Sequence, residues 1–117
     1  MRKSLSKLEI LKKKSEIDKV FKIGKSTSRR GLKLILAPNN LNRNRIIVIP
    51  IKHYGNAVER NSIRRRIKEI WRKKKTEFIS GNDFIFLVYP GKVFDSKSLE
   101  KTILDICEEQ GIYLNNK

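Results

Sequence analysis

The residues best suited to chemistry in this chain are basic, and they are concentrated in one short stretch. The run from Lys52 to Glu69 reads KHYGNAVERNSIRRRIKE. Within it, Arg60, Arg64 and Lys68 recur every fourth residue, which places like charges side by side on one helix face, where they repel one another. An anionic partner relieves that repulsion, and guanidinium groups bind phosphate through two parallel hydrogen bonds. The pattern therefore predicts binding to nucleic acid.

The same stretch contains a helix start. Asn56, with Glu59 three residues later, has the pattern of an N-cap with a capping box, so a long helix is predicted to begin near Ala57. The free N–H groups and positive dipole end of such a helix make the Gly55-Asn56 turn suitable for phosphate. An apolar stripe is predicted on another face of this helix, made of Val58, Ile63, Ile67, Ile70, Trp71 and Phe78.

Catalysis by protein groups is poorly supported. The single histidine, His53, has no evident Ser or Cys partner, and the acidic residues show no spacing typical of metal ligands. Beside Lys52 at a strand end, His53 is suited to contact phosphate or a base, or is simply solvated. Cys107 and Trp71 lie on apolar helix stripes and are assigned to the core.

Composition points to one small domain with a polyanionic partner. The chain has 117 residues, with 28 Lys plus Arg against 12 Asp plus Glu, for a formal net charge of +16. Residues 1–117 are predicted to form a single domain that binds nucleic acid, with 1–10 and 112–117 mobile. One cysteine allows no internal disulfide, and no apolar run approaches the roughly 20 residues that cross a bilayer. A cytoplasmic protein without a membrane partner is expected.

The charge is unevenly placed along the chain. Residues 2–30 hold eleven basic and three acidic side chains, and residues 52–75 hold ten and two. From Val93 onward the balance reverses to three basic and five acidic. A basic face built from the first third and the middle of the chain is predicted, with the last segment elsewhere.

Apolar periodicity and turn residues divide the rest of the chain into two helices and three strands. These are a helix at about Ser15–Ile23 that ends at Gly24, strands at Leu32–Ala37, Arg45–Lys52 and Asp83–Tyr89, and a last helix from Asp95 or Ser96 to Gly111. Lys25–Arg30 is predicted to be a flexible polar link. Arg45–Lys52 lacks alternation and is predicted to be buried on both faces, with Pro50 at an edge, a bulge or a break.

The basic stretch closely resembles a known signature. Gly55-Asn56-Ala57-Val58-x-Arg60-Asn61-x-x-Arg64-Arg65-x-x-Lys68-Glu69 is similar to the motif of the bacterial ribonuclease P protein family. Residues 11–13, 20–22 and 24–26 resemble the opening segment of that family. Ser62 stands where the family usually has arginine, and Arg66 offers a charge nearby.

The resemblance implies a fold. It is a single-domain α+β sandwich of a four-stranded sheet with helices, in the order α-β-β-β-α-β-α, with a left-handed β-α-β crossover against the usual rule. The residue patterns alone give one strand fewer. We therefore expect Arg45–Lys52 to comprise two strands that break at or near Pro50.

The resemblance also implies a function: binding the catalytic RNA subunit of ribonuclease P and the 5′ leader of precursor tRNA. Magnesium ions held mainly by RNA would perform the hydrolysis, with no catalytic residue on the protein and no obligate protein partner. The residues expected to contact the catalytic RNA are Lys52, His53, Asn56, Arg60, Asn61, Arg64, Arg65 and Lys68. A leader-binding cleft is expected at Ile17, Phe21 and Leu32.

Three other classes of protein share some of these features. A ribosomal RNA-binding protein would have the same charge and size but would need no leader cleft. A nuclease that works alone would need clustered carboxylates or a histidine pair, which the sequence does not show. A helix-turn-helix DNA-binding protein shares the basic helix, but the flanking strands fit it badly.

Overall fold

One mixed sheet with three helices makes up the part of the chain that the computed structural model describes, residues 9–90 and 95–113. The elements are α1 (Lys14–Ile23), β1 (Lys25–Arg29), β2 (Leu32–Pro38), β3 (Arg45–Pro50), α2 (Ala57–Lys74), β4 (Asn82–Val88) and α3 (Ser96–Glu109). A single 3-10 turn, Lys75–Glu77, follows α2. The expected α+β class and the α-β-β-β-α-β-α order are confirmed.

The strands lie in the order β1-β2-β4-β3. β2 pairs antiparallel with both β1 and β4, whereas β3 and β4 are parallel and are connected through α2. Parallel neighbours need such a crossover because their ends lie far apart. The left-handed sense of this crossover stays a prediction.

The extra strand lies where a flexible link was expected, so that prediction for Lys25–Arg30 is wrong. β1 pairs with β2 from Lys25 opposite Leu36 to Arg29 opposite Leu32. The two residues between the strands, Arg30 and Gly31, have φ of 51° and 81°. Positive φ at both positions is typical of a type I′ turn, whose twist matches that of a hairpin.

The expected break of Arg45–Lys52 into two strands is also wrong. β3 is one strand, and it is buried on one face only, because Ile46, Val48 and Pro50 are buried while Ile47 and Ile49 are partly exposed. β3 lies at the end of the sheet, and Pro50 is its last residue, so the proline occupies an edge strand where its missing N–H is tolerated.

Segments near both ends of the described chain are paired to the fold. Ile10 bridges to Ile46, and the Leu11 N–H donates to the Ile46 carbonyl at 3.0 Å, so the outer edge of β3 is partly covered. Tyr113 forms an antiparallel bridge with Phe78, outside the four-stranded sheet, and the Ile79 N–H donates to the Ile112 carbonyl at 2.9 Å. Residues 9–10 and 112–113, predicted to belong to mobile ends, thus contact the rest of the fold, and the remainder of those ends lies outside the described residues.

The two faces of the sheet are covered unequally. The larger core lies under α2 and α3, where Trp71, Phe84 and Phe86 pack among leucine and isoleucine side chains. The smaller core lies under α1 and is built on Leu11, Val20, Ile35, Ala37, Ile85 and Leu87. The predicted stripe is confirmed on α2 at Ile63, Ile67, Ile70 and Trp71, whereas Val58, in the first turn, is 77% exposed. Phe78 is buried, but it follows the 3-10 turn and is not part of the helix.

A buried ion-pair network joins β3, β4 and the turn before β3. The Arg45 guanidinium donates to both Asp83 oxygens, each at 2.8 Å, and to Glu16 of α1 at 3.1 Å. Asn39 donates to the same Asp83 carboxylate at 2.8 Å. Hydrogen bonding to Asp83 raises the pKa of Arg45, so the guanidinium stays positively charged.

Cys107 is a core residue, as predicted, and its thiol is expected to be inert. Burial raises the pKa of Cys107 to about 12, against about 8.5 for an ordinary cysteine, and only the thiolate reacts. We expect iodoacetamide to leave the native protein unmodified while it alkylates the urea-unfolded chain fully, as read by intact mass. Rapid alkylation of the native protein would contradict this burial.

Candidate nucleic-acid interface

The turn that leads into α2 is built as its sequence predicts. The Asn56 side chain accepts from the Glu59 N–H at 2.9 Å, and the Glu59 carboxylate accepts from the Asn56 N–H at 3.0 Å. This confirms the capping box. Gly55 is required here because a Cβ would lie 2.3 Å from the Glu59 carboxylate oxygen. The helix start is therefore fixed before any ligand arrives.

Two of the expected RNA contacts precede this cap. Lys52 and His53 are both exposed, and His53 has a φ of 74°, in the left-handed region that costs a non-glycine residue about 1–3 kcal/mol. The Tyr54 N–H donates to the Ile51 carbonyl at 2.9 Å and closes the turn. The turn thus presents both side chains to solvent beside the first turn of α2.

Arg60 ties the basic helix to the end of β3. Its guanidinium donates to the Pro50 carbonyl at 2.9 Å and to the Ile51 carbonyl at 3.1 Å. Both carbonyls lie where the strand stops, so the arginine satisfies acceptors that the sheet leaves unpaired. Two of its five donors are used in this way, and the others stay available to RNA.

The next turns of α2 carry cations without acidic partners. Asn61 and Arg65 are exposed, and the Arg64 guanidinium donates to the Asn61 amide oxygen at 2.9 Å. Within residues 9–90 and 95–113, no carboxylate pairs with Arg64, Arg65 or Lys68. The charge of this half of the helix is therefore open to an external anion.

The last turn of α2 differs, because its three cations are paired. Arg72 contacts Glu69, Lys73 lies 3.6 Å from Glu100, and Lys74 lies 3.7 Å from the same carboxylate. Lys75, just after the helix, binds Glu9 at 2.8 Å. Positive charge that lacks a partner is thus concentrated toward the N-terminus of α2, which a count of basic residues along the sequence does not reveal.

The opposite face of the sheet from α2 and α3 carries a partly exposed apolar surface, here called the apolar groove. It is defined by exposed Phe21 of α1 and by the side chains that pack against the smaller core, Ile17, Ile47, Ile49, Ile51 and Tyr89. α1 packs on β2 and β4, so the β3 side chains on this face stay partly exposed. Phe21 follows Ile17 by one helical turn and is 45% exposed. Of the expected cleft residues, Ile17 and Phe21 are therefore brought together beside an open apolar surface.

Leu32 is not part of that groove, so its assignment to the cleft is wrong. It is 1% exposed and belongs to the core under α2 and α3. Strand alternation explains the error, because Leu32, Leu34 and Leu36 point to one face of β2 while Ile35 points to the α1 face.

Among residues 9–90 and 95–113, no group of three His, Cys, Asp or Glu side chains could hold a metal ion. No described helix is long and apolar enough to cross a membrane. The described residues instead form two surfaces: a basic helix whose charge is only partly neutralised, and an apolar groove.

Comparisons with known proteins agree on one family. The family model described as Ribonuclease P matches residues 5–110. The ribonuclease P protein component of Borreliella burgdorferi is 41% identical over 106 residues, covering 84% of this chain and 88% of the relative. That of Petrotoga mobilis is 40% identical over 84 residues, covering 72% of this chain and 71% of the relative.

Solved structures show the same fold. The Staphylococcus aureus RNase P protein mutant with defective mRNA degradation activity aligns with a TM-score of 0.85 at 22% identity, covering 92% of each chain. The Thermotoga maritima RNase P protein aligns with a TM-score of 0.77 at 22% identity, covering 86% of this chain and 96% of that one. The chain belongs to the bacterial ribonuclease P protein family, the RNA-binding component of the ribonucleoprotein that processes tRNA.

Proposed function

We propose that this chain binds the catalytic RNA of ribonuclease P through α2 and the 5′ leader of precursor tRNA through the apolar groove, and so assists leader removal. One observation carries the proposal. The basic helix and the groove meet at the end of β3, where Arg60 of α2 donates to the Pro50 and Ile51 carbonyls and Ile51 is itself a groove residue. This contact links two surfaces of different chemistry.

The α2 surface suits structured RNA. Arg64, Arg65 and Lys68 present charge beside a capped helix N-terminus, which adds oriented N–H groups. Phosphate contacts of this kind supply affinity and register without reading sequence. Lys52, His53, Asn56 and Asn61 extend the same surface.

The groove suits a single strand. Unpaired bases expose their faces, and apolar or aromatic side chains bind those faces whatever the base. Phe21 and Tyr89 supply rings, while Ile17, Ile49 and Ile51 supply aliphatic contact. A duplex has no exposed base faces to offer, so the groove favours a leader over the paired body of a tRNA.

The chemistry itself is assigned to RNA. The described residues offer no cluster for a metal ion, and exposed His53 has neither a nucleophile nor a carboxylate as a hydrogen-bond partner among them. We therefore place the magnesium ions that hydrolysis requires on RNA and derive no step through the protein. The chain would contribute binding energy and position, and it would lower the repulsion between two polyanions.

A reconstitution tests the proposal. Precursor tRNA is incubated in low magnesium with the protein alone, with a bacterial ribonuclease P RNA alone, and with both. We expect cleavage at the mature 5′ end only with both components, and a declining benefit of the protein as salt rises. Cleavage by the protein alone, or no effect of the protein on the RNA, would overturn the proposal.

A further inference from the structure

The floor of the apolar groove contains one cation, Lys33. It sits between Leu32 and Leu34, which point to the α2 and α3 core, so its side chain points to the α1 face. Its partners across the sheet are Leu87 on β4 and then Ile49 on β3, both members of the α1-side cluster. A lysine therefore stands next to two apolar residues of this row.

Lys33 lacks a counterion. Its side chain is partly buried, yet no carboxylate pairs with it in the portions 9–90 and 95–113. The nearby cations Arg29 and Arg30 do have partners, Glu109 and Asp105, at 3.0 and 3.5 Å. A partly desolvated charge that the fold does not neutralise favours an external anion.

The neighbours of Lys33 on β1 suit that anion. Ser28 stands directly opposite Lys33, so its hydroxyl lies on the same face of the sheet. Ser26 follows on that face opposite Ile35, and both serines are exposed. Serine hydroxyls are common donors to phosphate oxygens. The groove thus has an apolar side along β3 and a polar margin along β1.

We infer that Lys33, with Ser28, binds a backbone phosphate of the single strand in the groove, while the bases lie toward Ile49 and Tyr89. The inference rests on the proposed leader binding and adds an orientation to it, since bases and phosphates take opposite sides. The aliphatic stem of Lys33 lies along the apolar floor and its ammonium reaches the margin. Lys33 is thereby an affinity determinant for the leader alone.

The test measures binding of precursor and mature tRNA to the reconstituted holoenzyme, with wild type and Lys33→Met. We expect Lys33→Met to weaken precursor binding about 3- to 10-fold, to reduce the salt slope by about one, and to leave mature tRNA and catalytic RNA affinity unchanged. Lys33→Arg should restore precursor affinity. Lys101→Met, which removes the same charge on α3 across the sheet, should have no effect.

Neutral linkages locate the contact. A series of precursors is made, each with a single uncharged methylphosphonate at one leader position. At one position the methylphosphonate should weaken binding to the wild-type holoenzyme but leave binding to the Lys33→Met holoenzyme unchanged. Absence of such a position, or equal weakening of precursor and mature tRNA, would overturn the inference. If wild type itself does not prefer precursor over mature tRNA, the proposed leader binding fails instead. Lys33→Gln, a polar variant, gives the same comparison if Lys33→Met is unstable.

Discussion

Replacing Arg45 with methionine is expected to lower the free energy of unfolding by about 3–5 kcal/mol, because it leaves a buried carboxylate without its counterion. The Arg45 and Asp83 side chains are only 14% and 6% exposed, and the guanidinium donates a hydrogen bond to each carboxylate oxygen. Asn39 remains as a donor to Asp83 but carries no charge. Urea unfolding followed by circular dichroism measures the loss.

The matched control is an exposed pair. Lys14 and Asp18 lie 3.2 Å apart on α1 with side chains 88% and 62% exposed, so Lys14→Met should change stability little. Adding Asp83→Asn to Arg45→Met removes the stranded charge and should recover part of the loss. If Arg45→Met lowers the free energy of unfolding no more than Lys14→Met does, then Arg45 is not needed to stabilise the buried Asp83 carboxylate.

The double substitution Arg64→Ala with Arg65→Ala is expected to weaken binding to the catalytic RNA about 10- to 100-fold, since two contacts are lost and a typical hydrogen bond contributes a net of about 0.5–1.5 kcal/mol. The slope of log affinity against log salt concentration should become less steep by about two, one for each lost phosphate contact. Both effects follow from the lack of carboxylate partners for these arginines in the described chain. Filter binding across a salt series measures both quantities.

A control of equal charge separates this effect from net charge. Arg29→Ala with Lys101→Ala also removes two cations, but Arg29 pairs with Glu109 and Lys101 pairs with Asp105. We expect a much smaller loss of RNA affinity from that pair of substitutions, because their charges are already neutralised. Equal losses in the two variants would show that overall charge, and not the α2 surface, binds the RNA.

Sequence periodicity predicted the elements that bury an apolar stripe or carry a strong cap. Helix α2 begins at Ala57 as Asn56 and Glu59 indicate, and α1 ends at Ile23 before Gly24. β1 was missed because its five residues, KSTSR, are polar and have no face to bury. It becomes a strand by pairing with β2 through the Arg30-Gly31 turn, and no short apolar pattern signals that event.

The candidate site was predictable to a different extent in its two halves. The positions on α2 follow from four-residue spacing, which the helix preserves, but which cations stay unpaired depends on Glu100 and Glu9, distant in sequence. The incorrect assignment of Leu32 shows that the direction of strand side chains was harder to predict. The alternation of Leu32, Lys33 and Leu34 does indicate that the two leucines point to one face of the sheet and the lysine to the other. The Arg45 and Asp83 pair joins residues 38 apart and has no local signature.

The place of β4 between β2 and β3 governs the order in which this protein can fold during synthesis. β2 and β3 do not pair with each other, and only Asn82–Val88 joins β3 to the β1–β2 hairpin. Until the ribosome has extruded that segment, only the β1–β2 hairpin can close, and the apolar side chains of β3 and α2 lack their neighbours. Assembly of the sheet is therefore a late event of translation, and a chain that terminates before β4 emerges with its largest apolar surfaces uncovered.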